Sequence, residues 1–238
     1  MLKARAMFEQ ALKLDPNYAR AYIELAEIHY VELLSPWSKA PEIAAERLLE
    51  YAQKAVALDD LDSRAHLALG RAYRVRANHE LAEAQFETAI ALNPNDVWNY
   101  CGKGFLLTCL GRLDEGISCD TYALRLNPLL PDTCLYSIGI AHYLGRRYED
   151  AIATFCKMSY LPTEILGCLA ASYAQFGRDG EARKTATECR ERAVAEFAFR
   201  LDDDVERWRA YWLRFIPLKE VSDRDHLFDG LRKAGLPA

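Results

Sequence analysis

Any chemistry in this chain of 238 residues would have to come from its five histidines, seven cysteines and clustered acids. His29, His66, His79, His142 and His226 show neither His-x-x-x-His nor His-Glu-x-x-His spacing, so the sequence offers no zinc-hydrolase signature. Cys134 and His142 lie eight residues apart, about two helical turns, which would put a thiol and a base on one helix face. No third residue is placed to orient that base. Cys101 and Cys134 raise the idea of a redox bridge, but cysteines inside apolar helical patterns behave as small hydrophobes, and packing is the expected role. In Asp202-Asp203-Asp204, three consecutive carboxylates do not converge on one ion without a looped scaffold; capping of a helix start is expected instead. Cys101-Gly102-Lys103-Gly104 follows a helical pattern, so its glycines serve close packing rather than phosphate binding. The chain is therefore expected not to be an enzyme, with no catalytic residue, no metal site and no cofactor.

The elements that position these residues are set by an internal repeat. The phrase Ala-x-x-x-Phe-x-x-Ala followed by Asn/Asp-Pro occurs as Ala4, Phe8, Ala11, Pro16 and as Ala82, Phe86, Ala89, Pro94, with related versions ending at Pro128 and near Pro162. Each proline closes a helix. Between the phrases stands a bulky ring, a small residue four positions on and another ring three beyond that, as in His66, Gly70 and Tyr73. Ser63 to Val97 and Val97 to Pro131 both span 34 residues. On these residues the chain resembles the tetratricopeptide-repeat (TPR) family, which implies an all-α, right-handed superhelix of antiparallel helix-turn-helix repeats. The small residues let two helices approach closely, and Tyr73, Phe86 and Tyr173 fill the space between repeats.

The array reads as a half repeat over 1–18, then repeats over 19–62, 63–96, 97–130, 131–162 and 163–196, with capping helices over 197–238. The excess length of 19–62 falls in the Pro-rich stretch Ser35 to Pro41, and Arg146-Arg147 is expected to add one residue to the turn of 131–162. A lone second helix at the start would expose an apolar face, so the chain is expected to be part of something longer. Near the other end, Val205 to Phe215 is aromatic and basic in alternation, and a short helix from Asp225 to Ala234 is expected to stop at Gly235. The strings Phe215-Ile216-Pro217-Leu218-Lys219 and Asp229 to Pro237 resemble the C-terminal end of bacterial multidomain regulators, in which TPRs follow a class III adenylate/guanylate cyclase or a winged-helix DNA-binding domain. That resemblance implies the regulatory part of a larger signalling protein; none of the cyclase's metal-binding or purine-selecting residues can be placed here.

The TPR resemblance further implies a concave surface built from the first helix of each repeat, at repeat positions 2, 5, 9 and 12. Those positions give Arg20, Ile23, Glu27 and Tyr30, then Arg64, Leu67, Arg71 and Arg74, then Trp98, Cys101, Phe105 and Thr108, then Asp132, Leu135, Gly139 and His142, and finally Glu164, Gly167, Ala171 and Ala174. The expected groove residues are Arg64, Leu67, Arg71, Arg74, Trp98, Cys101, Phe105, Leu135 and His142. Its expected ligand is a peptide or helix with an apolar anchor beside an acidic group, since buried aromatics anchor interfaces and arginine pairs with carboxylates. The positions matching a chaperone-tail carboxylate clamp are Leu67, Arg71, Gly102, Asp132 and Tyr136, so that clamp is missing. A symmetric homodimer joined through an apolar end is a further expectation. The formal net charge of −5 argues against nucleic acid. No run reaches the roughly 20 apolar residues of a membrane helix, and scattered cysteines without a Cys-x-x-Cys pair fit a reducing compartment such as the cytoplasm.

Overall fold

The computed structural model describes residues 2–35, 40–129, 131–197 and 204–238. Positions 36–39 of the Pro-rich stretch, together with Asp202 and Asp203, lie outside the described residues. Thirteen helices and no strand occur among the described residues. They are α1 (Leu2–Leu14), α2 (Ala19–Leu34), α3 (Pro41–Leu58), α4 (Ser63–Val75), α5 (His79–Leu92), α6 (Val97–Cys109), α7 (Leu113–Leu126), α8 (Pro131–Leu144), α9 (Tyr148–Phe155), α10 (Thr163–Gln175), α11 (Asp179–Phe197), α12 (Val205–Phe215) and α13 (Val221–Ala234). Residues 1–106 and 107–238 form two compact units.

Two kinds of turn recur, and each answers a backbone need. Within four helix pairs the turn has three residues, and its middle residue is left-handed: Ala77 (φ 58°), Gly111 (φ 78°), Arg146 (φ 58°) and Gly177 (φ 84°). That conformation lets the amide of the next residue reach back to an orphan helix carbonyl. Asn78 donates to Tyr73, Arg112 to Leu107 and Arg147 to His142, each at 2.9 Å, and Arg178 donates to Tyr173 at 2.8 Å. Between pairs, a side-chain oxygen closes the helix end and accepts from the amide two residues on. Asp15 accepts from Asn17 (2.9 Å), Asp59 from Leu61 (3.1 Å), Asn93 from Asn95 (3.2 Å) and Asn127 from Leu129 (2.9 Å). In the first unit a ring from the following helix ties down the same turn. Tyr22 and Tyr100 donate to the carbonyls of Pro16 and Pro94, each at 3.1 Å, while His66 Nε2 meets the Asp60 carbonyl at 2.9 Å. His66 is thus held structurally, its Nδ1 lying 2.7 Å from Gln85 Oε1.

The first unit is packed around rings set against missing side chains. Phe86 of α5 is fully buried, and a Cβ on Gly70 or on Gly102 would each come within 2.7 Å of its Cε1. One ring therefore fills the gap inside its own helix pair and the gap to α6. Ala26, Leu48, Ala52, Ala68 and Ala72 form the adjoining core of α2, α3 and α4.

The second unit shows where one expectation fails. α8 has 14 residues, while α4, α6 and α10 have 13, and the turn after it keeps three residues. The extra residue of this repeat is therefore in the helix and not in the Arg146-Arg147 turn. A Cβ on Gly139 would collide with the ring of Phe155, just as Gly70 meets Phe86, and both glycines stand seven residues before the left-handed turn residue. Gly139 thus faces its own partner helix and not the inner surface.

Candidate functional site

In the first unit the inner positions of α2, α4 and α6 carry a network rather than a bare basic strip. Arg64 Nη2 lies 3.2 Å from Glu24 Oε1, which Arg20 Nε also meets at 2.9 Å. Arg71 Nη1 contacts both Glu27 carboxylate oxygens, at 2.6 and 2.5 Å. Arg74 is buried: its Nη2 donates to the Tyr30 hydroxyl at 2.7 Å, and its guanidinium lies 4.9 Å from the Phe105 ring centre. Leu67 and Cys101 are buried too, whereas Trp98 is 38% exposed. Of the expected groove residues in this unit, Trp98 is exposed, Arg64, Arg71 and Phe105 are half-buried, and Arg74, Leu67 and Cys101 are buried. Glu27 and Arg71, and likewise Tyr30 and Arg74, occupy equivalent positions in consecutive repeats.

In the second unit the register of α8 corrects two expected residues. Counting back from the left-handed turn residue, the inner positions fall on Thr133, Tyr136, Ile140 and Tyr143, each one place after the expected residue. Leu135 and His142 are displaced from the inner stripe because the helix is one residue longer. Burial lowers the His142 pKa. Tyr136 and Tyr143 both engage the C-terminal helices. The Tyr136 hydroxyl reaches the Phe215 carbonyl at 3.5 Å, and the Tyr143 hydroxyl donates to the His226 carbonyl at 3.0 Å, with the two rings stacked at 4.9 Å.

On α10 the small inner residues receive large ones. A Cβ on Gly167 would collide with the indole of Trp212, which is fully buried. The Trp212 Nε1 donates to the Pro237 carbonyl at 3.2 Å. Glu164, at the second position, is buried and accepts from the Tyr211 hydroxyl at 3.4 Å. Burial raises its pKa to about 7, opposed by hydrogen bonds from its own backbone amide and from Tyr136 and Tyr211, and assisted by the like charge of Glu196. α12 is capped by Asp204, whose side chain accepts from the Arg207 amide at 3.2 Å. α13 begins at Val221, four residues before the expected Asp225, and closes at Gly235 (φ 91°).

Sequence reasoning missed Asp120. In α7 it stands where the repeat phrase has Phe8 and Phe86, and it is fully buried, with Cys134 Sγ within 4.8 Å. Burial holds its carboxyl well above the usual range. Alignment of Gly116, Asp120 and Ala123 on Ala82, Phe86 and Ala89 is the signal that finds it. His29 lies 3.0 Å from Glu32, which also accepts from Arg5 at 2.7 Å.

No protein-family model matches the sequence, and no match was found among curated proteins. Solved structures do match. PilW, a widely conserved type IV pilus biogenesis factor, is 19% identical with a TM-score of 0.64, over 82% of this chain and 86% of its own. TTC0263, a thermophilic TPR protein of Thermus thermophilus, is 19% identical with a TM-score of 0.63, over 82% of this chain and 98% of its own. The APC/C hetero-tetramer Cut9-Hcn1 matches 98% of this chain at 13% identity and a TM-score of 0.65, using 42% of that chain. At such identities the likeness concerns the fold, and the fold of this chain is the all-helical tetratricopeptide-repeat fold.

Proposed function

We propose that the chain is a protein-interaction scaffold that takes a peptide or an amphipathic helix on the inner faces of the first helices of its repeats, and that it carries out no catalysis itself. The observation that carries this reading is the helix α12 already held there, with Trp212 seated against Gly167. In the first unit the same positions offer Trp98 as an exposed apolar anchor and, in the neighbouring repeat, Arg64, more exposed than Arg71 or Arg74, for a ligand carboxylate. A ligand with an apolar residue beside an acidic one fits that pair. Arg71 is less suited, because both Glu27 oxygens hold it at 2.6 and 2.5 Å and its side chain is more buried, whereas Arg64 meets a single Glu24 oxygen at 3.2 Å.

Peptides selected by display against the full chain are expected to carry this apolar-acidic pair. They are expected to lose at least tenfold in affinity to the Trp98→Ala, Arg64→Glu double variant, a change of roughly 1.4 kcal/mol or more. Equal affinity in a double variant of unchanged thermal melt refutes the reading. A second reading, self-association, is favoured by α1, where Met7 is 71% and Leu14 83% exposed; a strict monomer by light scattering at high concentration refutes it. The tail's resemblance to bacterial regulators supports placing the array as the regulatory part of a larger signalling protein.

A further inference from the structure

The C-terminal helices do not simply follow α10 and α11 as one more repeat would. Their linker reaches the end of α6, where the Lys219 amide donates to the Cys109 carbonyl at 2.9 Å. α13 lies chiefly on α10 and also touches α8. Its Gly230 leaves no room for a Cβ beside the Tyr143 hydroxyl and Ala171, and Asp229 accepts from Gln175 at 3.1 Å. α12 presents Trp208, Tyr211, Trp212 and Phe215, a stripe at i, i+3, i+4 and i+7, all buried. This is the anchor pattern by which amphipathic helices occupy protein grooves, and it covers the inner positions of two successive repeats.

One contact in this arrangement is poor. Glu164 sits beneath Tyr211, faced by Tyr136 from α8, Cys168 of its own helix and Cys189 and Glu196 from α11. An ionised acid buried without an opposing cation is costly, and here α12 supplies a phenol. A helix with lysine at the Tyr211 position and tryptophan at the Trp212 position would satisfy both Glu164 and the Gly167 hollow.

Extending the scaffold reading above, on which it rests, we propose that α12–α13 is a built-in ligand of the α8–α10 inner face, exchanged for a partner's amphipathic helix that sets a tryptophan against Gly167 and a basic side chain against Glu164. The tail then closes this half of the surface until such a helix arrives.

The test uses labelled peptides of residues 204–238, one native and one carrying Tyr211→Lys, titrated by fluorescence anisotropy into the full native chain and into the full chain carrying Trp212→Ala. The Lys peptide is expected to bind at least tenfold tighter than the native peptide, and both are expected to bind the Trp212→Ala chain at least tenfold tighter than the native chain. Adding Gly167→Val to that chain is expected to abolish binding. Peptides that bind the Trp212→Ala chain no better than the native chain, or a Lys peptide no tighter than the native one, overturn the proposal. If Trp212→Ala melts the whole second unit, the tail is a fixed part of the core and the proposal also falls. Hydrogen exchange on the unmodified chain gives an independent check: α12–α13 amides are expected to exchange at least tenfold faster than those of α10, and exchange at one common rate overturns the idea. Trp98→Ala is expected to leave the tail-peptide binding unchanged, so failure here and failure of the first-unit reading are separable.

Discussion

Replacing Glu164 by glutamine isolates the cost of holding an acid under α12. The residue is 8% exposed, and desolvation raises its pKa from 4.5 to about 7. In the unfolded chain the group ionises near the lower value. Between the two, the folded chain keeps a proton that the unfolded chain has lost, so stability falls as pH rises. The contribution is fully present below pH 4.5 and gone above about pH 7. At about 1.4 kcal/mol per pH unit the interval amounts to about 3 kcal/mol. Glutamine has no proton to lose and keeps an oxygen to accept from Tyr211. Glu164→Gln is therefore expected to match the native chain near pH 4.5 and to be more stable by about 3 kcal/mol at pH 8, roughly 6–12 °C in melting temperature for a chain of this size. Thermal melts of both proteins from pH 4.5 to 9, followed by tryptophan fluorescence, measure it. Parallel curves across that range would show that water or a cation reaches Glu164 in solution, and the burial argument would be wrong.

Other perturbations probe separate parts of the fold. Gly177→Ala, at a left-handed position with open space around the missing Cβ, is expected to cost about 1 kcal/mol in urea unfolding. Arg146→Gly, at the matching turn, is expected to gain a smaller amount. Phe86→Ala empties a site with complete burial and is expected to cost about 3–5 kcal/mol, lowering the melting transition of the first unit. Asp120→Asn removes a carboxyl whose pKa burial raises well above the usual range; the native chain is expected to lose stability relative to this variant as pH rises above the ordinary carboxylate range, and parallel pH profiles refute that.

Much of the fold was readable from local rules. Asp or Asn at a helix end, followed by proline, states both where a helix stops and which oxygen closes it, so the ends of α1, α5 and α7 were visible in Pro16, Pro94 and Pro128. The fourth repeat was harder, because an extra residue in a helix and an extra residue in a turn lengthen the sequence alike. The length of α8, the place of left-handed Arg146 and the fit of Phe155 over Gly139 decide between them, and the resulting register moves two expected site residues, Leu135 and His142, off the inner stripe. The arginines show a different limit. Their number and spacing were plain, but whether a cation is available to a ligand depends on what faces it from the next helix, and Glu27 and Tyr30 stand 44 residues away in sequence. The position of α12 was the least legible, because an aromatic stripe states that a helix must be covered and not which surface covers it.

The ring of Phe86, lodged between Gly70 and Gly102, also bears on how such a chain is inherited. Every repeat built this way brings one ring and one hollow, the ring meant for the next hollow along. A gene segment of one period can thus be duplicated or lost and the junction still closes, because the new neighbours present the same two shapes as the old. Asp120 breaks that pattern: a copy of its repeat would hand its neighbour a charge-capable side chain where a ring is due, so duplication of that segment would leave a scar that selection could see.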